Sequence, residues 1–389
     1  SRGLGDVYKR QIRDHTWSDG TPVTAHDFEF AMKRILDPAT AASYAYLMYT
    51  IAGAESFNSG DGSIDDVQVT AIDDKTLEVT LASPAPYFIA QTTHNTAYPV
   101  PKHLVEALGD EWSRPENIAV NGAFKVSEWT IGEKLTLSKN PSFYDAENVS
   151  LDAVNYFPIE EATQELNLYR EGQLDITGSI PSGDALYALA DEFGDELYVT
   201  PYGGTYYYAF NSTMAPYDDP MIRSALSMAI DRDRITTDVS PGNVVAYSFV
   251  PPSISGGDEG QYPSWASMTQ AERTAMAKDV MASKGYPADN PMEVVINYNT
   301  SEGHKQIALA ISDMWAEIGV AVELFNQDVG THYDGLQAQE FEIGRAGWIW
   351  DYPDAENLLA LMGPNSPYNY GPVSYTHLRA HETGRNVVW

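Results

Sequence analysis

The sequence predicts an α/β fold with antiparallel additions, and three observations carry that expectation. Strand and helix periodicities alternate along the 389 residues. Near the carboxyl end one stretch runs strand, helix, strand without a break: MEVVINYN at 292–299, SEGHKQIALAISDMWAEIG at 301–319 and VAVELF at 320–325. That spacing implies a parallel strand pair joined by a right-handed crossover. Composition agrees, with 43% hydrophobic, 12% aromatic and 20% charged residues. These values are those of a globular chain long enough for two or three domains or one large α/β unit, and no run approaches the ~18 apolar residues of a membrane span.

Each element has a local reason. In TAHDFEFAMKRIL (24–36), Thr24 is the N-cap with Asp27 as its reciprocal partner, and Phe28, Ala31, Met32, Ile35 and Leu36 share one helical face. TLEVTLASPAP (76–86) reads as a strand ended by prolines, and YPVPKHLVEAL (98–108) turns from loop to helix. EEATQELNLYREGQLDIT (160–177) reads as a helix capped at Gly172 and then a short strand. In DDPMIRSALSMAIDRDRI (218–235), Asp219 caps, Pro220 takes the first helical position, and Ile222, Ala225, Leu226, Ala229 and Ile230 face a core. Thr269 and Glu272 form the capping box of a helix closed by Gly285 and Pro287. The helix after Ser301 carries Ile307, Ala310, Ile311, Met314, Trp315 and Ile318 on one stripe and stops at Gly319. The Gly-, Pro- and Ser-rich run 251–270 is the expected long surface excursion.

Charge excludes one partner class. With 55 acidic and 23 basic residues, a net of −32, the chain lacks the clustered cations that a nucleic acid backbone requires. The absence of cysteine removes disulfides, thiolate metal sites and thiol chemistry. Residues 1–11 and 374–389 carry 5 of the 23 basic residues but only Asp6 and Glu382 as acids. They resemble translated adapter sequence, so both are expected to be non-native tails, with the true start and any signal peptide missing.

Catalytic motifs are scarce. Asp351 and Asp354 could form an acid/base pair in a secreted hydrolase. No GxSxG, HExxH, P-loop or GxGxxG motif occurs, and His15, His26, His94, His103, His304 and His332 read by default as surface or capped-helix histidines rather than metal ligands. No cofactor or metal is expected.

An ordered series of motifs carries a resemblance: WSDGTPVTAHDFEFAMKRILDPATAASYA at 17–45, DDKTLEVTLASPAPYF at 73–88 and PVPKHLVEALGDEWSRPENIAVNGAFKV at 99–126. It continues with TYYYAFN at 205–211, DDPMIRSALSMAIDRDRI at 218–235, AYSFVPP at 246–252, YNTSEGHKQIALAI at 298–311 and RAGWIWDYPD at 345–354. The set resembles the extracytoplasmic solute-binding proteins of peptide-importing ABC transporters, specifically the oligopeptide-binding kind. The likeness implies a two-lobed clamp of the type II, large-cluster class with an extra subdomain, incomplete at both termini. It divides the chain into 12–100 as the extra subdomain, 101–203 as the first lobe and 204–373 as the second.

The resemblance also implies a monomeric, non-enzymatic receptor for short peptides that serves the transporter's permease subunits. It would work in a periplasm or other extracytoplasmic space, free or lipid-anchored. A related ligand such as a dipeptide, a murein peptide or a metal chelate stays open. In RAGWIWD, Asp351 would hold the peptide ammonium and Arg345 a short peptide's carboxylate. The main chain of Ala346, Gly347 and Trp348 would pair with the ligand as an added strand, with Gly347 allowing close approach. Trp348 and Trp350 would wall side-chain pockets, Tyr207 would lie near the ligand's amino end, and His304 would lie toward the far end of longer ligands. Plainer readings stand beside these: core tryptophans, an Arg345–Asp351 ion pair, Tyr207 inside its lobe and a solvated His304. No Lys or Arg occurs from Ile235 to Glu272, and Leu336 stands where the pattern has a second basic group, so peptide length is left open.

Overall fold

The structure is a computed structural model. It describes residues 7–181, 184–198, 200, 202–251, 253–254, 262–363 and 366–371. The tail expected at 374–389, and residues 252 and 255–261 of the expected excursion, lie outside the described residues. The chain divides into two compact units, Ser1–Gln164 and Glu165–Trp389.

In the first unit β1 (Val7–Gln11), β2 (Val69–Asp73) and β3 (Thr76–Thr80) form an antiparallel sheet in the order β1-β3-β2. Five residues of the expected amino-terminal tail are therefore a paired strand, with Val7 opposite Thr80 and Gln11 opposite Thr76. Helix α1 (Ala25–Leu36) packs on this sheet, and Ala31, Met32 and Leu36 are buried. The capping box is present: Thr24 N donates to Asp27 Oδ2 at 2.9 Å. The other oxygen of buried Asp27 accepts from Lys102 N at 3.2 Å, at the start of α2 (Lys102–Leu108), so one carboxylate ties two helix starts together. A second antiparallel sheet, in the order β4-β5-β6, is built from β4 (Phe124–Thr130), β5 (Lys134–Lys139) and β6 (Ala153–Tyr156).

Helix α3 (Ala162–Arg170) ends before Gly172, whose φ of 70° supports the cap reading. The short strand expected after it does not form. The Glu165 carboxylate instead accepts from Ser179 N at 3.0 Å and Ser179 Oγ at 2.7 Å, folding residues 171–179 back on the helix and leaving Ile176 82% exposed.

The second unit carries a mixed sheet in the order β7-β10-β8-β9, built from β7 (Gly204–Phe210), β8 (Met292–Asn299), β9 (Val320–Gln327) and β10 (Ile343–Ile349). The predicted parallel pair is β8 with β9, in register from Met292 opposite Val320 to Asn299 opposite Gln327. The helix between them is α6, introduced here with its neighbours in chain order: α4 (Pro220–Ala229), α5 (Gln270–Ser283) and α6 (Glu302–Ala316). Their apolar faces meet in one core that holds Leu226, Met281, Ile296, Ile311, Trp315 and Ile343. Trp315 is fully buried and its Nε1 donates to Leu226 O at 2.9 Å, so its one polar group is paired inside the core. Asp219 and Thr269 cap α4 and α5 as their sequences predict, accepting from Met221 N and Glu272 N.

Candidate ligand-binding site

β10 pairs with β7 along its whole length, from Ile343 opposite Phe210 to Ile349 opposite Gly204. β8 matches it only at Ile343 and Gly344. Beyond Gly344 one edge of β10 has no strand neighbour among the described residues. In an antiparallel ladder successive main-chain groups turn to opposite edges. Glu342 O accepts from Asn211 N at 2.9 Å and Trp350 N donates to Gly203 O at 2.8 Å, so the even-numbered residues turn toward β7. Arg345 and Gly347 turn toward the open edge.

That edge is closed at one point by a histidine. His332, on α7 (Val329–Gln337), brings Nε2 to 2.8 Å from Arg345 O. Read by default as a surface or capped-helix residue, His332 lies in the helix that Asp328 caps and is 1% exposed. Burial holds its imidazole below the usual range.

Side chains alternate as the main chain does. Arg345 and Gly347 lie opposite Tyr208 and Tyr206 on one face. The Arg345 guanidinium stands 4.7 Å from the Tyr206 ring centroid, and its Nη1 donates to Asn299 Oδ1 at 3.1 Å and Tyr333 OH at 3.0 Å. Its Nε is buried with no hydrogen-bond partner among the described residues. Tyr206, 38% exposed, sets its hydroxyl 3.5 Å from Nδ1 of His304 in the first turn of α6. Burial first, then the Arg345 charge and then His332, lower the His304 pKa to about 4. At neutral pH His304 is uncharged, and the cation of this face is Arg345.

The opposite face is interior. Ala346 is 0% exposed and packs with Leu336, Phe341 and Tyr207. Tyr207 meets Phe249 edge-on at 5.0 Å, and burial pushes its phenol well above the usual range. Trp348 is 9% exposed, with its ring 4.8 Å from Tyr368 and its Nε1 donating to Asn357 Oδ1 at 3.2 Å. Trp350 lies over Gly203, where a Cβ would come within 2.2 Å of the indole.

Asp351 sits two residues beyond the strand. Its N–H donates to Asn357 Oδ1 at 3.0 Å, and its Oδ2 accepts from Asn357 Nδ2 at 2.9 Å. Asp354 caps α8 (Ala355–Leu359), accepting from Glu356 N at 3.0 Å. The structure thus groups Arg345, Gly347 and His304 on one face and Ala346, Trp348 and Tyr207 on the other, with Trp350 and Asp351 in the following loop. Tyr206, Asn299, Tyr333 and Asn357 escaped sequence reasoning. Tyr206 and Tyr207 can be told apart only by register, while an Asp before AENLL is the signal that could have pointed to α8 and hence to Asn357. Among the described residues no group of three or more His, Asp or Glu side chains could hold a metal ion, and no helix is long and apolar enough to cross a membrane.

The mixed sheet thus leaves one edge of β10 without a strand neighbour among the described residues beyond Gly344, with Arg345 on that stretch and Asp351 two residues past its end. The chain belongs to the bacterial extracellular solute-binding proteins, family 5, whose middle-region profile matches residues 5–370. It is 40% identical over 361 residues to the periplasmic oligopeptide-binding protein OppA of Escherichia coli, covering 92% of this chain and 66% of that one. It is 36% identical over 390 residues to the periplasmic murein peptide-binding protein MppA of the same species, covering 98% and 72%. The structure of Haemophilus influenzae OppA in complex with RPPGFSPFR superposes with a TM-score of 0.87 at 34% identity, covering 96% and 74%. The chain therefore has the two-lobed α/β fold of the periplasmic binding proteins, and spans about two thirds to three quarters of these relatives. The family and these relatives are binding proteins, and the relatives are periplasmic.

Proposed function

We propose that this protein binds short peptides by their termini and backbone, without cleaving them, and delivers them to the permease of an ABC importer in an extracytoplasmic space. It acts as a monomer, with 12–100, 101–203 and 204–373 as its extra subdomain and two lobes. The observation that carries the reading is the unpaired edge of β10 at Gly347, between Arg345 and Asp351. A peptide leaving water must pair its N–H and C=O groups, and an open strand edge supplies partners without reading side chains. Arg345 to Ile349 covers about 13 Å at ~3.3 Å per residue, the length of three or four extended ligand residues.

Charge sets the direction. Arg345, with a buried Nε and a neutral His304 beside it, receives the ligand carboxylate, and Asp351 receives the ammonium. Asp354 already caps α8 and Asp351 is held by Asn357, an arrangement that suits orientation better than proton transfer. The OppA and MppA relatives, bound to or named for peptides, support the ligand class.

The test is calorimetric titration of the full chain with tri-alanine and N-acetyl-tri-alanine, followed by mass spectrometry of the recovered peptide. Tri-alanine should bind and return intact, and Asp351→Asn should weaken it by about 2–5 kcal/mol while leaving the acetylated form unaffected. Equal affinity for the two peptides would remove Asp351 from the site. Cleavage lost in Asp351→Asn would favour the hydrolase.

A further inference from the structure

We propose that Asn357 is the positioning residue for Asp351 and so sets how strongly the site prefers a free ammonium. The inference rests on the reading of Asp351 given above, and neither the motifs of the sequence nor the family likeness assigns Asn357 a role.

Asn357 is the third residue of α8 and is 0% exposed. Its amide is used in three directions. Oδ1 accepts both Asp351 N–H, at 3.0 Å, and Trp348 Nε1–H, at 3.2 Å, while Nδ2 donates to Asp351 Oδ2 at 2.9 Å. The pattern fixes the amide's orientation. Two donors converge on one end, which must be oxygen, and a carboxylate oxygen faces the other, which must be nitrogen.

The helix beneath is itself held in place. Asp354 caps it, Asn357 N donates to Asp354 O at 3.1 Å, and the Tyr352 hydroxyl donates to the Glu356 carboxylate. The helix backbone fixes Asn357, and Asn357 fixes the turn that leaves β10. As a neutral amide, Asn357 gives the carboxylate a direction without itself adding an opposing charge. A lysine or arginine there would compete with the ligand's ammonium for the same oxygens. Trp348 shares the hub, its Nε1 and the Asp351 N–H converging on the same Asn357 Oδ1.

The test measures tri-alanine and N-acetyl-tri-alanine binding to wild type and Asn357→Ala by calorimetry. Loss of one buried hydrogen bond to a charged group should lower the preference for the free amine by roughly tenfold to a hundredfold, with acetylated-peptide affinity kept within about twofold. Equal weakening of both peptides, or an undiminished preference, would overturn the positioning role and leave Asn357 as a structural residue. A wild type with no preference would mark instead the failure of the Asp351 reading, and the inference would fall with it.

Should Asn357→Ala not fold, wild-type protein labelled with ¹⁵N-asparagine supplies the answer. The Asn357 side-chain amide resonances should shift at saturating tri-alanine and stay in place with the acetylated form. Unmoved resonances with tri-alanine bound would refute the proposal.

Discussion

Acidification should destabilise this protein through His304 well before its carboxylates protonate. The imidazole pKa is lowered from 6.5 to about 4 in the fold, by burial above all and then by Arg345 and His332. Between those values the unfolded chain binds a proton that the folded one refuses, so stability is full above pH 6.5 and falls as pH drops toward 4. At 1.36 kcal/mol per pKa unit the ceiling is about 3 kcal/mol, and His304's partial contact with water reduces the expected loss to about 1–2 kcal/mol. Urea unfolding followed by circular dichroism at pH 7, 6 and 5 measures it, with His304→Asn as the non-titrating reference. Asp219 loses its contribution only at lower pH, because its hydrogen bond to Lys284 above all holds its carboxyl below the usual range. The wild-type curve should therefore fall relative to the variant within the His304 window. Parallel curves, together with a His304 ring resonance titrating near pH 6.5, would show that neither burial nor Arg345 acts on this imidazole.

Two further predictions concern the scaffold. Gly319→Ala forces a side chain onto a φ of 82° with its Cβ 2.8 Å from Tyr286 O, and should cost about 2 kcal/mol or more, read as a lowered urea midpoint. Arg273 is 3% exposed and serves Gln270 Oε1, Tyr247 OH and Ala266 O; Arg273→Met should cost about 2–4 kcal/mol through the stranded acceptors, and Arg273→Lys should recover little because one ammonium cannot reach all three. A shift below 1 kcal/mol in the same assay would mean that the buried acceptors find water.

What the sequence made legible is what short-range chemistry controls. The capping boxes at Thr24 and Thr269, the Pro220 helix start and the 292–325 strand–helix–strand unit follow from residues within a few positions of one another. The failures involve partners distant in sequence. Residues 173–177 have strand-like composition, but the Glu165 carboxylate holds the following turn and no strand forms there. The basic, foreign-looking stretch before Ile12 hid a strand whose partner lies near Thr76. At the site, Asp351 and Arg345 stood out as charges in an apolar run, whereas Asn299 and Tyr333 reach Arg345 from other elements and Tyr206 differs from Tyr207 only in parity.

Three glycines near the site separate packing from access. A Cβ on Gly203 would enter the Trp350 indole, and one on Gly344 would lie 2.3 Å from Leu336 Cδ2, so both are fixed by neighbours already in the fold. Gly347 is different. A Cβ there would meet Arg345 Nη2 at 3.5 Å and Thr205 O at 3.6 Å, ordinary contacts, and its φ lies outside the left-handed region. The fold itself therefore accepts alanine, and Gly347→Ala should leave the urea midpoint unchanged or raise stability by about 0.4–1 kcal/mol through the less flexible unfolded chain. The methyl would nevertheless stand beside the guanidinium, on the same face as Tyr206 across the ladder, and narrow the room through which a ligand carboxylate reaches Arg345. Tri-alanine affinity should fall by about tenfold, or 1.4 kcal/mol, while stability does not. Because a packing defect would lower stability and binding together, opposite signs in the two assays mark a glycine kept for the ligand. Undiminished affinity in a stabilised Gly347→Ala would show that ligand access does not require a glycine there.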